Sequence, residues 1–133
     1  MTYKSDEILS VLKDFKSEYA EISASMVAKK GLEGVIMFPD SFKNDVGEIW
    51  EPLGKTIDEV LCIISENGVF NLNRLYFEML GFGVLFYVLS NSDTALVVFI
   101  KCRDKLDIFD FISKNHRSIC SARDRIIKII DRQ

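Results

Sequence analysis

The chain has few of the residues that build metal centres and redox sites. Its 133 residues include 3 cysteines and 1 histidine. Cys62, Cys102 and Cys120 stand far apart, so there is no Cys-x-x-Cys pair, and a single histidine cannot complete a zinc site with them. The sequence therefore predicts no metal and no other cofactor. Its thiols are those expected of a reduced, intracellular protein.

Catalytic patterns are scarce as well. His116 is the sole imidazole, and Cys120 lies four positions later, where a helix would place both on one face. No serine or cysteine stands in a nucleophile-elbow pattern. Gly54-Lys55-Thr56 resembles the end of a phosphate-binding loop, but Ile49 occupies the position that needs a glycine. We expect no catalytic residue and no enzymatic activity.

The chain also lacks a strong excess of positive or negative charge, and it lacks long hydrophobic runs. The formal net charge is −3, and the basic residues near the end of the chain alternate with aspartates, which argues against nucleic acid as a partner. The most apolar stretch, 84–102, is interrupted by the polar residues 90–93, so it is not a membrane helix. The segment 1–6 lacks the apolar core of a signal peptide. These features predict a cytoplasmic protein without membrane insertion.

Apolar residues, by contrast, are plentiful. They make up 48% of the chain and include 10 phenylalanines. A chain of this length buries roughly two thirds of its unfolded surface, which is enough for a stable core without disulfides or metal. The sequence predicts one domain over residues 1–133.

A long first helix is predicted from Asp6 to Lys30. Apolar residues recur there every three or four positions, as on one face of a helix: Ile8, Val11, Leu12, Phe15, Tyr19, Ile22 and Met26. Gly31 then provides a typical helix end. Residues 34–38 follow as a continuously apolar strand, and residues 46–50 are predicted to form a second strand after a polar loop.

The second half of the chain gives clearer signals. Leu53, Ile57, Val60, Leu61 and Ile64 trace a second helix. Three apolar segments, 75–80, 84–89 and 94–101, are separated by short turns and predict an antiparallel meander. Residues 104–132 predict one long helix or two in line, with Asn115 as the candidate bend and acidic residues Asp104, Asp107 and Asp110 at the start.

The predicted order is helix-strand-strand-helix-strand-strand-strand-helix, which is an α+β fold. Five strands can form one antiparallel sheet with helices on both faces. This order, together with Gly34-Val35-Ile36-Met37-Phe38 after the first helix and the meander, resembles the roadblock (dynein light chain) domain family of small-GTPase regulators and scaffolds. The resemblance covers about residues 8–130 and is architectural, because that family has no invariant catalytic motif.

The resemblance implies dimerisation through the second helix and the third strand, with a homodimer or a pair with a related roadblock chain as the product. The residues that it places in the dimer interface are Val60, Ile63, Ile64, Leu75, Phe77 and Met79. It also implies a small Ras-like GTPase as partner, bound on the surface of the paired second helices. Candidates for that contact are Lys55, Asp58, Glu59, Cys62 and Glu66.

Two other functions fit the sequence. The first is a longin-type or motor-linked adaptor that has no GTPase partner, since the longin fold has a similar order of elements. The second is a small-ligand sensor domain, because sheet-and-helix domains of this size also form ligand pockets.

Overall fold

A computed structural model describes residues 4–32, 34–79, 81–89, 93–101 and 108–132. The elements in chain order are α1 (Lys4–Glu18), β1 (Ile22–Lys29), β2 (Ile36–Phe38), α2 (Phe42–Val46), α3 (Trp50–Glu66), β3 (Arg74–Met79), β4 (Phe82–Val88), β5 (Thr94–Lys101) and α4 (Ile108–Asp131). Short 3-10 turns precede α3 at Gly47–Ile49 and follow it at Gly68–Phe70.

The strands form one five-stranded antiparallel sheet in the order β2-β1-β5-β4-β3. The first and last strands of the chain, β1 and β5, are therefore neighbours in the middle of the sheet. Strands β2 and β3 lie at the two edges. The predicted α+β class with a five-stranded antiparallel sheet is confirmed.

Helices cover both faces of the sheet. On one face, α1 and α4 pack over side chains such as Leu85, Tyr87 and Val98. On the other face, α3 and α2 pack over Val84, Phe86 and their neighbours. Because both faces are covered, the central strands β4 and β5 are buried almost throughout, as their continuous apolar sequences predict.

The prediction of one helix from Asp6 to Lys30 was wrong in its second half. The helix ends at Glu18, and β1 begins at Ile22. Side chains at alternate positions of β1 reach opposite faces of the sheet: Met26 contacts the α3 side and Val27 the α1 side. Both faces are buried, so β1 lacks the alternation of apolar and polar residues that marks an exposed strand.

The predicted strand at residues 46–50 was also wrong. Phe42, Val46 and Trp50 follow one another at intervals of four, which is helical spacing, and they lie in α2 and at the start of α3. The ring of Phe42 packs edge-on against Trp50 at 6.4 Å between centroids. The sheet reaches five strands because β1 replaces the strand expected here.

The other predicted elements are in place. Helix α3 contains the five apolar residues that predicted it, and the three-strand meander forms β3, β4 and β5. Helix α4 is continuous through Asn115, whose side-chain amide donates to the carbonyl of Phe111 at 3.0 Å. Of the predicted acidic helix start, Asp110 lies in the first turn of α4, whereas Asp104 and Asp107 lie outside the described residues.

Candidate protein-interaction surface

Helix α3 has one buried and one exposed face. Residues at helical spacing insert into the core, and these are Leu53, Ile57, Val60, Leu61 and Ile64. The predicted partner-binding residues lie on the remaining surface: Lys55, Glu59 and Glu66 are exposed, while Asp58 and Cys62 are half-buried. Three of these five side chains are carboxylates and one is a lysine, so these residues have an acidic balance.

Asp58 already has a contact within the chain. Its Oδ1 accepts a hydrogen bond of 2.8 Å from the backbone N–H of Gly31, which lies in the connection between β1 and β2. Gly31 has a positive φ of 92°, a backbone conformation that glycine adopts without strain. Asp58 therefore ties α3 to the edge of the sheet, in addition to any contact that it makes with a partner.

Strand β3 is an edge strand. It pairs with β4 on one side, and no other strand among the described residues pairs with its outer side. Leu75, Phe77 and Met79 are half-buried and pack on the α3 side of the sheet. An edge strand with unpaired backbone groups and apolar side chains is a template for pairing with another chain.

The six residues predicted at the dimer interface fall into three environments. Ile64 is fully buried and Val60 nearly so, which leaves them little surface to bury against a partner. Ile63 is 45% exposed. Leu75, Phe77 and Met79 of β3 are half-buried, so their exposure lies between that of Ile64 and that of Ile63. Val60, Ile64 and the three β3 residues thus belong to one apolar cluster between α3 and the sheet, whereas Ile63 lies on the exposed side of α3.

Two exposed residues beside this region were not predicted. Val69 and Phe70, in the 3-10 turn between α3 and β3, are 83% and 78% exposed. Their sequence signal is an apolar pair between turn residues, Gly68 before it and Asn71 after it. Large exposed apolar side chains next in sequence to an edge strand make this turn a candidate contact surface.

The opposite face of the sheet brings His116 and Cys120 together, as their spacing predicts. The sulfur of Cys120 lies 3.5 Å from Nε2 of His116. Arg74 Nη1 and the hydroxyl of Tyr87 lie 3.1 Å and 3.0 Å from Nδ1. A guanidinium only donates, so Nδ1 is the acceptor and the ring proton is on Nε2. With its acceptor nitrogen occupied in this way, His116 is not arranged to take a proton from Cys120.

Burial affects the chemistry of the tyrosine in this cluster. The side chain of Tyr87 is 1% exposed, and desolvation raises the pKa of its hydroxyl above the ordinary value of 10.0, although the hydrogen bond from Arg74 opposes the shift. The hydroxyl therefore stays protonated at neutral pH and is available as a hydrogen-bond donor.

The structure is similar to a solved protein of known fold. It superimposes on Myxococcus xanthus MglB with a TM-score of 0.69, over 98% of this chain and 94% of that one, at 13% sequence identity. The chain has the roadblock/longin-like fold. No protein-family model matches the sequence, and no curated protein matches it either. At this identity the likeness establishes the fold alone.

Within the roadblock/longin-like fold of this chain, the described part contains no group of three or more His, Cys, Asp or Glu side chains placed to hold a metal ion. None of the helices in the described ranges is long and apolar enough to cross a membrane. Cys102, the third thiol of the sequence, lies outside the described residues. Among the described residues, three neighbouring features offer contact surface on the α3 side: the exposed face of α3, the turn that follows it and the edge of β3.

Proposed function

We propose that this chain is a non-enzymatic, dimeric protein-binding module that binds a small Ras-like GTPase and regulates or scaffolds it. The fold supports the proposal, because MglB is a GTPase regulator with the same roadblock/longin-like architecture. The observation that carries it is the apolar edge of β3 next to an exposed apolar turn. Without a partner, both features expose surface that favours aggregation.

The proposed dimer forms about a two-fold axis beside β3. Two copies of β3 pair antiparallel, so that the two sheets become one, and two copies of α3 lie side by side above it. Ile63, Leu75, Phe77 and Met79 supply the apolar contact, with Val60 and Ile64 supporting them from the core. Val69 and Phe70 extend the same surface at the turn. The partner is a second copy or a related chain.

The proposed GTPase site is the surface that the paired α3 helices form. Lys55, Asp58, Glu59, Cys62 and Glu66 lie on it. The helix contains no arginine, so its exposed face supplies no arginine finger of the kind that accelerates GTP hydrolysis in some activating proteins. For this chain we propose that binding stabilises one GTPase conformation, which requires different affinities for the two nucleotide states.

The oligomeric state is tested by light scattering over a dilution series. A dimer has twice the 15.2 kDa mass of the chain. Ile63→Asp places a charge on an exposed residue, so it should reduce dimerisation without unfolding the subunit. Phe77→Asp should give monomer or aggregate, although Phe77 also packs on Phe86 at 5.9 Å between ring centroids and its loss affects the core. Dimers unchanged in both variants would contradict the interface.

The partner is tested by pulldown of purified Ras-like GTPases loaded with GDP or with a non-hydrolysable GTP analogue. Glu59→Lys combined with Glu66→Lys should abolish nucleotide-dependent capture. Glu18→Lys, at the end of α1, is the matched control and should leave capture unchanged. Hydrolysis rates measured on the same samples distinguish activation from scaffolding. A stable dimer that captures no GTPase in either state favours the adaptor without a GTPase partner.

A further inference from the structure

A cavity of about 490 Å³ lies between β3, β4 and α4, on the opposite face of the sheet from α3. Its volume is within the range of roughly 300–1,000 Å³ that is usual for ligand sites. Side chains alternate along β3, so Arg74 and Tyr76 reach this cavity while Phe77 and Met79 pack on the other face. The cavity therefore opens on the opposite face of the sheet from the proposed GTPase surface, although Leu75 of the proposed dimer interface also lines it.

One end of the cavity is rich in hydrogen-bond donors. Arg74 and the hydroxyl of Tyr87 converge on Nδ1 of His116, and the guanidinium also lies 5.9 Å from the centroid of the Tyr87 ring. One guanidinium nitrogen contacts the imidazole and the guanidinium also donates to the Tyr87 hydroxyl, so only the remaining N–H donors of the exposed Arg74 side chain are open to another acceptor. These donors call for an acceptor, and a carboxylate fits the fork of a guanidinium best.

No acidic side chain among the described residues lines the cavity. Among the described residues Arg74 and Arg117 are in no ion pair, whereas the arginines at positions 123, 125 and 132 each pair with a carboxylate. Glu78, on the same face of β3, and Asp110, in the first turn of α4, are both outside the lining. Within the described part of the chain, the positive charge at this end therefore has no carboxylate partner.

The other end of the cavity is aromatic and open. Tyr76 and Phe109 meet edge to face at 5.1 Å between ring centroids and are 38% and 59% exposed. Exposed tyrosine, phenylalanine and arginine side chains in one place are typical of protein–protein contacts. A small-molecule site usually encloses most of its ligand, and rings this exposed do not provide such an enclosure.

We propose that this cavity binds a segment of a partner protein in which a carboxylate lies next to a large apolar side chain. The carboxylate contacts Arg74, and the apolar side chain packs against Tyr76 and Phe109. The site does not depend on the dimer or on a GTPase. It gives the chain a second proposed binding surface, on the opposite face of the sheet from α3.

The test uses nuclear magnetic resonance titrations of the full, isotope-labelled chain with two blocked tripeptides. One is acetyl-Leu-Glu-Phe-amide, and the other has glutamine in place of glutamate. We expect the glutamate peptide to shift amide signals of β3 and the first half of α4 and to bind about threefold to tenfold more tightly than the glutamine peptide, as one exposed charge-assisted contact allows. Phenylacetate, a small aromatic acid without a peptide backbone, is titrated alongside.

Two variants localise the effect. Arg74→Gln should bind both peptides equally. Lys114→Gln removes the same charge from an exposed position of α4 outside the cavity, and should keep the preference for glutamate. The proposal is overturned if the peptides do not bind, if they shift signals elsewhere, or if Arg74→Gln keeps the preference. Phenylacetate that binds as tightly as the glutamate peptide would identify a small-acid site instead and would equally overturn the proposed partner segment.

Discussion

Phe70 offers the sharpest test of whether the turn after α3 belongs to an interface. The side chain is 78% exposed in the isolated chain, so replacing it by serine removes almost no contact within the subunit. We expect Phe70→Ser to change the free energy of unfolding of the monomer by no more than about 0.5 kcal/mol, as for other exposed substitutions. Its effect on dimerisation should be much larger.

The expected loss of dimerisation free energy follows from the exposed area of the Phe70 side chain. Burying a whole phenylalanine side chain contributes about 1.5–3 kcal/mol. With 78% of the side chain available, each copy contributes somewhat less than that, and a two-fold interface contains two copies. The loss on substitution is then about 2–5 kcal/mol, which weakens the dimer by roughly 30-fold to 5,000-fold in Kd.

Sedimentation equilibrium over a wide concentration range measures this change directly. Phe70→Leu is the matched control, because leucine retains most of the apolar area and should dimerise within about tenfold of the unaltered chain. Urea unfolding at concentrations where the variants are monomeric checks that their folding is intact. If Phe70→Ser, Phe70→Leu and the unaltered chain share one Kd, the turn is not part of the interface and the reasoning from exposure is refuted.

Two further predictions concern side chains whose contacts are defined. Asp58→Ala removes the acceptor of the Gly31 N–H and should lower the free energy of unfolding by about 1 kcal/mol. Asp58→Asn keeps an oxygen at this position and should lower the free energy of unfolding by less. Urea titration of both variants measures the difference. If Asp58→Asn costs as much as Asp58→Ala, the charge rather than the hydrogen bond is responsible. The hydrogen bond from Arg132 lowers the pKa of Glu7 below its ordinary value of 4.5, so the folded chain binds fewer protons than the unfolded chain near that pH. This stabilisation is complete above about pH 4.5 and is lost as pH falls through the lowered pKa of Glu7. Glu7→Gln should therefore flatten the dependence of melting temperature on pH in this acidic range. An unchanged slope would contradict the role given to Glu7.

Sequence patterns predicted the fold class and the elements of the second half of the chain. The spacing of apolar residues in those elements is clear enough to distinguish helix from strand. The strands of the meander are continuous apolar runs with turns between them, and Gly81 marks one turn with a positive φ of 84°. Strand β1 was missed because its residues are buried on both faces and because Ile22 and Met26 happen to continue the spacing of the helix before it. Local periodicity cannot distinguish a continued helix from a strand that is buried on both faces. The long-range pairing of β1 with β5 makes this segment a strand.

The interaction surface was predicted only in outline. That β3 lies at an edge follows from the sheet order, which long-range pairing sets. The sequence marks Ile63 and Ile64 as equally apolar, yet one is 45% exposed and the other is buried, because they occupy different sides of α3. The cluster of Arg74, Tyr87 and His116 joins three elements that are distant in the chain, so no local motif indicates it.

The central position of β1 and β5 has a consequence for how the chain folds. Lys29 faces Thr94 and Ile22 faces Ile100 in the register of this pair, so the middle of the sheet closes a loop that contains most of the chain. Closing such a loop has an entropic cost before its contacts form, which slows folding in proteins of high contact order. During synthesis, the pair β1·β2 and the pair β3·β4 can form early, but neither can join the other until β5 has left the ribosome. Until that moment the edges of β1 and β4 that β5 will occupy are unpaired, and unpaired strand edges in an incomplete fold favour aggregation.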